Sequence, residues 1–266
     1  MTTRVLLRAL LLPLTLVTSA PALGATRHLT ASGNGLGIDS PCARQVSIMP
    51  DATGGDITVD ATADNQPEVD QLVLTGGESV KLFVPSHGPN SCWRPAGSPG
   101  FAPTLALAIH VPPSSALSID ESGKADYTVG DIHAPLNLDF SGMVNMRAEG
   151  IGALNLDLSG AGDVAIARAN GPVHAELSGH GTLTIDNASI SAASLDLSGN
   201  GSIRIDHGDI GNIQISDSGA ADVLIGATVG NGAVDISGVG AVKIAKVTGA
   251  LAKDVSGAGS IEIGNQ

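Results

Sequence analysis

From residue 117 onward, apolar and polar positions return at a fixed interval. The pair Ser-Gly stands at Ser122, Ser141, Ser159, Ser178, Ser198, Ser218, Ser237 and Ser256, spaced 19, 18, 19, 20, 20, 19 and 19 residues apart. Taking each Ser as position zero, position +5 reads Tyr127, Met146, Val164, Leu183, Ile203, Val223, Val242, Ile261, and +7 reads Val129, Ala148, Ile166, Ile185, Ile205, Ile225, Ile244, Ile263. The residue between them is mixed, so +5 to +7 reads as a short strand with one face in a core and one in water. A second strand precedes the Ser. Position −3 runs Ile119, Leu138, Leu156, Ala175, Leu195, Ile215, Val234, Lys253, and −1 includes Phe140, Leu158, Leu177, Leu197, Ile236 and Val255. A third side follows +7 as an irregular return with one or two apolar residues, such as Ile132, Ile151, Ile190, Ile210, Val229 and Val247.

Self-similarity at a period near 20 marks a solenoid, in which each repeat buries its apolar face only by stacking on its neighbours. Rungs joined in this way pair in parallel, which predicts an all-β fold: a right-handed parallel β-helix of about eight 19-residue rungs. A left-handed helix built of strict hexapeptides would repeat at 18 without drift. The glycine after each Ser, and a second one at +3 as in Gly162, Gly181, Gly201, Gly240 and Gly259, are expected to allow positive φ and a sharp corner where a side chain would strike the next rung. A phosphate-cradling loop is excluded, because no helical pattern follows these glycines.

Upstream the pattern changes, and the chain divides into three expected parts. Residues 1–24 place Arg4 and Arg8 before an apolar run and then small residues at Ala20-Pro21-Ala22, the order of a secretory signal peptide. Residues 25–116 read as a β-rich capping region, either a small sandwich or irregular first rungs. Candidate strands there lie at 45–49, 56–61, 71–74, 79–84 and 105–111. Residues 117–266 are the repeats. No stretch after the leader is apolar enough for a membrane-spanning helix, so the product is expected in the periplasm or at the cell surface.

Charge narrows the partners. The chain carries 13 Lys and Arg against 26 Asp and Glu, a net charge of −13, and loss of Arg4 and Arg8 with the leader makes it −15. Such a chain repels phosphate backbones, which excludes nucleic acid. Three Phe, one Tyr and one Trp leave few flat platforms for stacking sugars or bases. The two cysteines, Cys42 and Cys92, are expected to form a disulfide in an oxidising compartment.

The chain resembles the bacterial auto-transporter adhesin, head GIN domain family over residues 45–266. The resemblance rests on Val111-Pro112-Pro113 followed by Ile119 to Gly123, and on units such as Leu156-Asp157-Leu158-Ser159-Gly160-Ala161-Gly162-Asp163-Val164. It implies an exported β-helical domain, with adhesion as the role in the family's name, and it brings no catalytic residues. A C-terminal barrel of alternating strands with aromatic girdles does not follow the repeats, so the secretion route in that name is not expected here.

Among chemistries, a polysaccharide-acting lyase or hydrolase is the rival to a binding protein, because it would need clustered carboxylates in a groove walled by inserted loops. Rung lengths barely vary and no insertion interrupts 117–266, so no catalytic residue is assigned. Seven histidines, His28, His87, His110, His133, His174, His180 and His207, lack metal-ligand spacing, and no metal or cofactor is expected. The column at −2 carries the candidate site: Asp120, Asp139, Asp157, Glu176, Asp196, Ser216, Asp235 and Asp254, acidic at all but Ser216 and on the outer face. Two roles compete. The turn N–H groups could hold these carboxylates as structural caps, which is the first expectation, or the ladder could bind weak Ca²⁺ or a basic partner surface. Rung six differs, since Asp217 stands at −1; it should either bond to backbone or Ser groups or be displaced by a bulge, the latter being the simpler expectation. The last strand, with Lys253, Asp254 and Glu262, leaves end-to-end self-association open. The functional expectation is a non-enzymatic envelope or surface protein using the β-helix for binding, adhesion or assembly.

Overall fold

The computed structural model describes residues 24–85 and 103–264. The leader and Cys92 lie outside these residues. The described chain is a parallel β-solenoid in which each −3, −1, +5 and +7 column stacks on itself. Position −3, for instance, pairs Ile119 with Leu138, Leu138 with Leu156, Leu156 with Ala175, and so on to Val234 with Lys253. These columns, together with Leu117, Leu136, Leu154 and Val173 at −5, form one continuous apolar core.

Differences in rung length are absorbed in the return after +7. Where a 20-residue rung meets a 19-residue rung the register shifts between Ile205 and Asp209, and a local irregularity between two 19-residue rungs shifts it between Ile225 and Thr228, both just after +7. The strands on either side of the Ser-Gly corner therefore stay in register through all eight rungs. The return after +7 is more regular than expected in the middle rungs. Ile190, Ile210, Val229 and Val247 pair in turn, and three strands run unbroken through it, His180–Leu197, Ser202–Asp217 and Asp222–Ile236.

The corner glycines have a steric rather than a torsional reason. Of those expected at positive φ, only Gly162 adopts it. The glycines after Ser are needed because the rung beneath is too close: a Cβ on Gly160 would lie 2.0 Å from the carbonyl oxygen of Gly142. At +3 the space is taken by the −1 side chain of the preceding rung. A Cβ on Gly181 would meet Leu158 Cδ2 at 2.0 Å, and one on Gly259 would meet Ile236 Cγ2 at 2.5 Å.

Ahead of the first Ser-Gly corner the solenoid continues. Strand Gly35–Asp39 stacks in parallel on Ala116–Glu121, and Gln45–Met49 stacks on Lys124–Asp131. The corner joining them, Ser40 to Arg44, has Ser40 and Cys42 at positive φ. One more rung stacks in parallel, Val80–Phe83 on Gly35–Asp39 and Ala106–His110 on Gln45–Met49, and beyond it the pairing turns antiparallel. Ala106–His110 pairs with Asp56–Ala63, which pairs with Ala25–Ser32. A one-turn helix, Gln66–Asp70, starts at Asn65, whose side chain accepts the Glu68 N–H at 3.2 Å. Glu68 is buried and saturated, since its carboxylate accepts the N–H groups of Thr104 and Leu105 at 2.9 and 3.0 Å. Neither this helix nor the strands Ala25–Ser32 and Gly35–Asp39 was anticipated. The signals were present as Asn65-x-x-Glu68 with Pro67 at the first turn, a capping pattern.

Candidate functional site: an acidic face and two buried carboxylates

Strand alternation fixes the site. With −5, −3 and −1 inward, positions −4, −2 and zero face out, and parallel in-register stacking turns each into a ladder along the solenoid. The −2 ladder runs Asp39, Asp120, Asp139, Asp157, Glu176, Asp196, Ser216, Asp235, Asp254. Asp39 extends the acidic column by one rung; it was missed because its corner, Ser40-Pro41-Cys42, lacks Ser-Gly. On one side lie the serines at zero. On the other lie Ser118, Asn137, Asn155, His174, Ser194 and Gln214 at −4, a polar column that the repeat pattern also overlooked. Asn155 Nδ2 donates to Asn137 Oδ1 at 2.7 Å, which links the amides of two neighbouring rungs.

The turn N–H groups do not hold the ladder. Among the described residues, Glu176 alone of these acids has a side-chain partner, the His174 Nε2 at 3.0 Å. Corner N–H groups instead bond to main-chain carbonyls of the rung before, as when Ser159 and Gly160 both donate to Phe140 O at 3.0 Å. The expected capping role is therefore overturned, because the corner donors are already used. The remaining carboxylates face like charges one rung away. Burial raises the Asp120 carboxyl above the ordinary range, helped by Asp139 and Asp39; burial raises Asp157 likewise, helped by Asp139 and Glu176. At about 4.8 Å per rung, each adjacent pair repels by roughly 0.9 kcal/mol in water.

A shallow groove of about 440 Å³ runs between the acid and serine ladders, lined among others by Asp157, Glu176, Asp196, Asp235, Ser178 and Ser198. A second, of about 320 Å³, continues toward the first rungs between the −4 and −2 ladders. Both are troughs on a regular sheet, not clefts walled by loops. Among the described residues no group of three or more His, Cys, Asp or Glu side chains converges closely enough to hold a metal ion.

Among the described residues of the repeats, two carboxylates lie inside, both at −1. Glu121, in rung one, is 1 % exposed and stacks on Phe140. Its Oε1 accepts the Gly123 N–H and its Oε2 the Tyr127 hydroxyl, each at 2.9 Å. Burial pushes the Glu121 carboxyl up despite these donors, and burial beside Glu121 pushes the Tyr127 hydroxyl well above its usual value. Tyr127 is also stacked on Phe140. Asp217, in rung six, is 2 % exposed, and its Oδ1 accepts the Gly219 N–H at 2.9 Å. Its Oδ2 has no partner. The expected bulge is absent at Asp217, which pairs in register with Leu197 below and Ile236 above.

Of the two cysteines, Cys42 sits at the corner of the pre-repeat rung, and its expected partner Cys92 lies outside the described residues. Among the described residues no helix is long and apolar enough to cross a membrane.

Comparison with known proteins gives the fold and little more. No family model matches the chain, so the GIN-domain resemblance gains no support there, and no curated protein matches it. Solved structures do. A "putative adhesin" from Bacteroides fragilis aligns at TM-score 0.54 and 15 % identity over 91 % of this chain and 97 % of its own. A "putative lipid binding protein" from Parabacteroides distasonis aligns at 0.53 and 15 % over 92 % and 98 %, and a "putative adhesin" from Parabacteroides merdae at 0.51 and 11 % over 92 % and 98 %. At these identities the chain shares with them an end-to-end β-solenoid architecture.

Proposed function

We propose that this chain is an exported, non-enzymatic protein of the cell envelope or surface, and that its acidic face is the surface by which it binds or adheres. One observation carries the reading. Carboxylates are aligned in register over nine rungs, broken only at Ser216, and His174 is their sole side-chain partner among the described residues. An arrangement that works against the fold, and that a Ser or Thr column would relieve, is the kind of local conflict expected at a binding surface. The partner that fits is one presenting positive charge along a line, either basic groups or cations held between two acidic surfaces. Names of the similar solved structures, adhesins among them, agree with a binding role and with a place outside the cytoplasm.

Binding to a flat face needs no walls, whereas polysaccharide cleavage needs an acid and a base or nucleophile placed around one bond in a site that excludes water. The test uses the mature protein and a variant carrying Asp139→Asn, Asp157→Asn and Asp196→Asn, outward positions whose neutralisation leaves the core intact. Immobilised wild type should retain envelope material at low salt and release it as salt rises. The variant should retain several-fold less. Equal retention by both proteins, or release of sugar fragments from polysaccharide, would overturn the reading.

A further inference from the structure

Asp217 departs from its column in a way that the binding role does not use. In rungs two to five the −1 residue is Phe140, Leu158, Leu177 or Leu197, and in rung seven it is Ile236. The space available to it is defined by the +3 glycine of the next rung. For Asp217 that residue is Gly240, and a Cβ there would lie 1.9 Å from Asp217 Oδ2 and 2.1 Å from the carbonyl oxygen of Ala221. The two oxygens are thus within 4.0 Å of each other, both facing the Gly240 backbone. Two acceptors so placed, one of them a buried carboxylate oxygen that meets no hydrogen bond of normal geometry although the Ala221 and Gly240 N–H groups lie near, repel when the acid is charged and attract when it carries a proton.

We propose that rung six is a pH-sensitive latch, in which protonated Asp217 donates from Oδ2 to Ala221 O and closes the corner, and ionised Asp217 loosens it. The charged groups nearest this corner on the packed strands are all acids. Asp196 is on the strand below, Asp235 is on the strand above, and Asp222 is just past the corner. None supplies a counter-charge. Burial raises the Asp217 carboxyl above the ordinary range; the Gly219 and Ala221 N–H groups oppose this, Asp222 adds to it, and the Gly240 N–H opposes it more weakly. The latch holds more than itself, because Ser237 and Gly238 both donate their N–H groups to the Asp217 carbonyl, at 2.8 and 3.3 Å. Loosening the corner of rung six would disturb rung seven and the stretch of the acidic groove lined by Ser216, Asp217 and Ser218. This holds whatever the face binds.

Asparagine distinguishes the two states, since its Nδ2 can donate to Ala221 O as the acid's hydroxyl would, while its Oδ1 keeps the Gly219 N–H. The experiment is amide hydrogen exchange on the mature protein from pH 4.5 to 8, corrected for the intrinsic pH dependence of exchange. In wild type, protection of residues 215–241 should fall as pH rises through the folded value of Asp217. The fall should be about tenfold for each unit by which that value exceeds the ordinary Asp value. Residues 136–160 serve as the internal control and should not follow it. Asp217→Asn should stay protected throughout. Should Asp217→Asn not fold, the carboxyl carbon of Asp217 in wild type, read by ¹³C NMR, should titrate above the ordinary Asp range together with the exchange. Flat protection in wild type, a variant that tracks wild type, or an Asp217 carboxyl titrating at or below the ordinary value would each overturn the latch.

Discussion

Rung one and rung six place a carboxylate at the same inward position, and both use one oxygen to accept the N–H two residues on. They differ in the other oxygen. Glu121 is one methylene longer, so it reaches Tyr127 across the corner and both of its oxygens have donors. Asp217 has no hydroxyl in reach, because its own +5 residue is Val223, and its second oxygen faces a carbonyl. A buried acid is therefore tolerated in this solenoid by two routes, saturation by donors in rung one and sharing of a proton in rung six. The same chemical group should be stabilising where it is saturated and a weak point where it is not.

Leucine, the commonest −1 residue of the repeats, should separate the two most sharply. Glu121→Leu strands the Tyr127 hydroxyl and the Gly123 N–H inside the core, and at about 1–3 kcal/mol for each buried group left unpaired the loss should be roughly 2–6 kcal/mol. Asp217→Leu strands the Gly219 N–H and the lesser Ala221 and Gly240 N–H contacts, but removes an acid whose charged form burial disfavours from a slot that Leu158 and Leu177 fill in their own rungs, over Gly181 and Gly201. It should be neutral to stabilising by about 1–2 kcal/mol at pH 7. Urea unfolding of both variants reads the comparison directly, and losses of the same sign and size would remove the distinction.

Next in size is Tyr127→Phe, which keeps the ring stacked on Phe140 and deletes only the hydroxyl. Glu121 Oε2 is then left in the position of Asp217 Oδ2, at a cost of about 1–3 kcal/mol. The variant should also deepen the pH dependence that the raised Glu121 carboxyl already gives rung one, with stability greater in acid, since losing the hydroxyl donor raises the folded value further. Unchanged stability at neutral pH would show that the hydroxyl contributes nothing to holding the acid.

How these features were hidden is instructive. The columns at −3, +5 and +7, the parallel stacking and the rung count were all legible, because a period of 18 to 20 residues places like residues on like positions and the core admits only apolar ones. Glu121 was not, because the −1 column was read from its apolar majority, and Tyr127 was read as an apolar core residue although its hydroxyl needs a buried partner. Asp217 was visible as an exception, but its resolution depended on the Ala221 carbonyl and the Gly240 backbone, contacts between rungs that no local pattern encodes. The acidic ladder was legible in position and misjudged in bonding. Its carboxylates stand beside a turn, which normally offers N–H donors, but in a solenoid those donors are taken by the rung beneath.

The outer ladder gives the smallest and most widely distributed effect, and it tests whether exposed acids follow the same rule as buried ones. Asp139 is the neighbour shared by Asp120 and Asp157, the two ladder residues with raised carboxyl values. An acid whose folded value lies above its unfolded one contributes most to stability below the unfolded value, near 3.9 for Asp, and that contribution is lost as pH rises through the folded value. Acidification from pH 7 should accordingly stabilise the protein, levelling off near pH 4, and not destabilise it as turn-bonded carboxylates would. Because the side chains are exposed, the repulsion is screened, and the ladder's share should be a few tenths of a kcal/mol per pair at low salt, less at high salt. Asp139→Asn isolates this share from the buried acids, since it touches neither Glu121 nor Asp217. Its melting temperature at pH 7 should exceed that of wild type by about 1–2 °C at low salt, and the two should converge toward pH 4 and in high salt. Calcium against chelator at equal ionic strength completes the measurement. A calcium-specific rise in wild type that Asp139→Asn abolishes would make the ladder a cation carrier, whereas the same response to calcium and sodium would leave it a surface that meets its positive charge only on a partner.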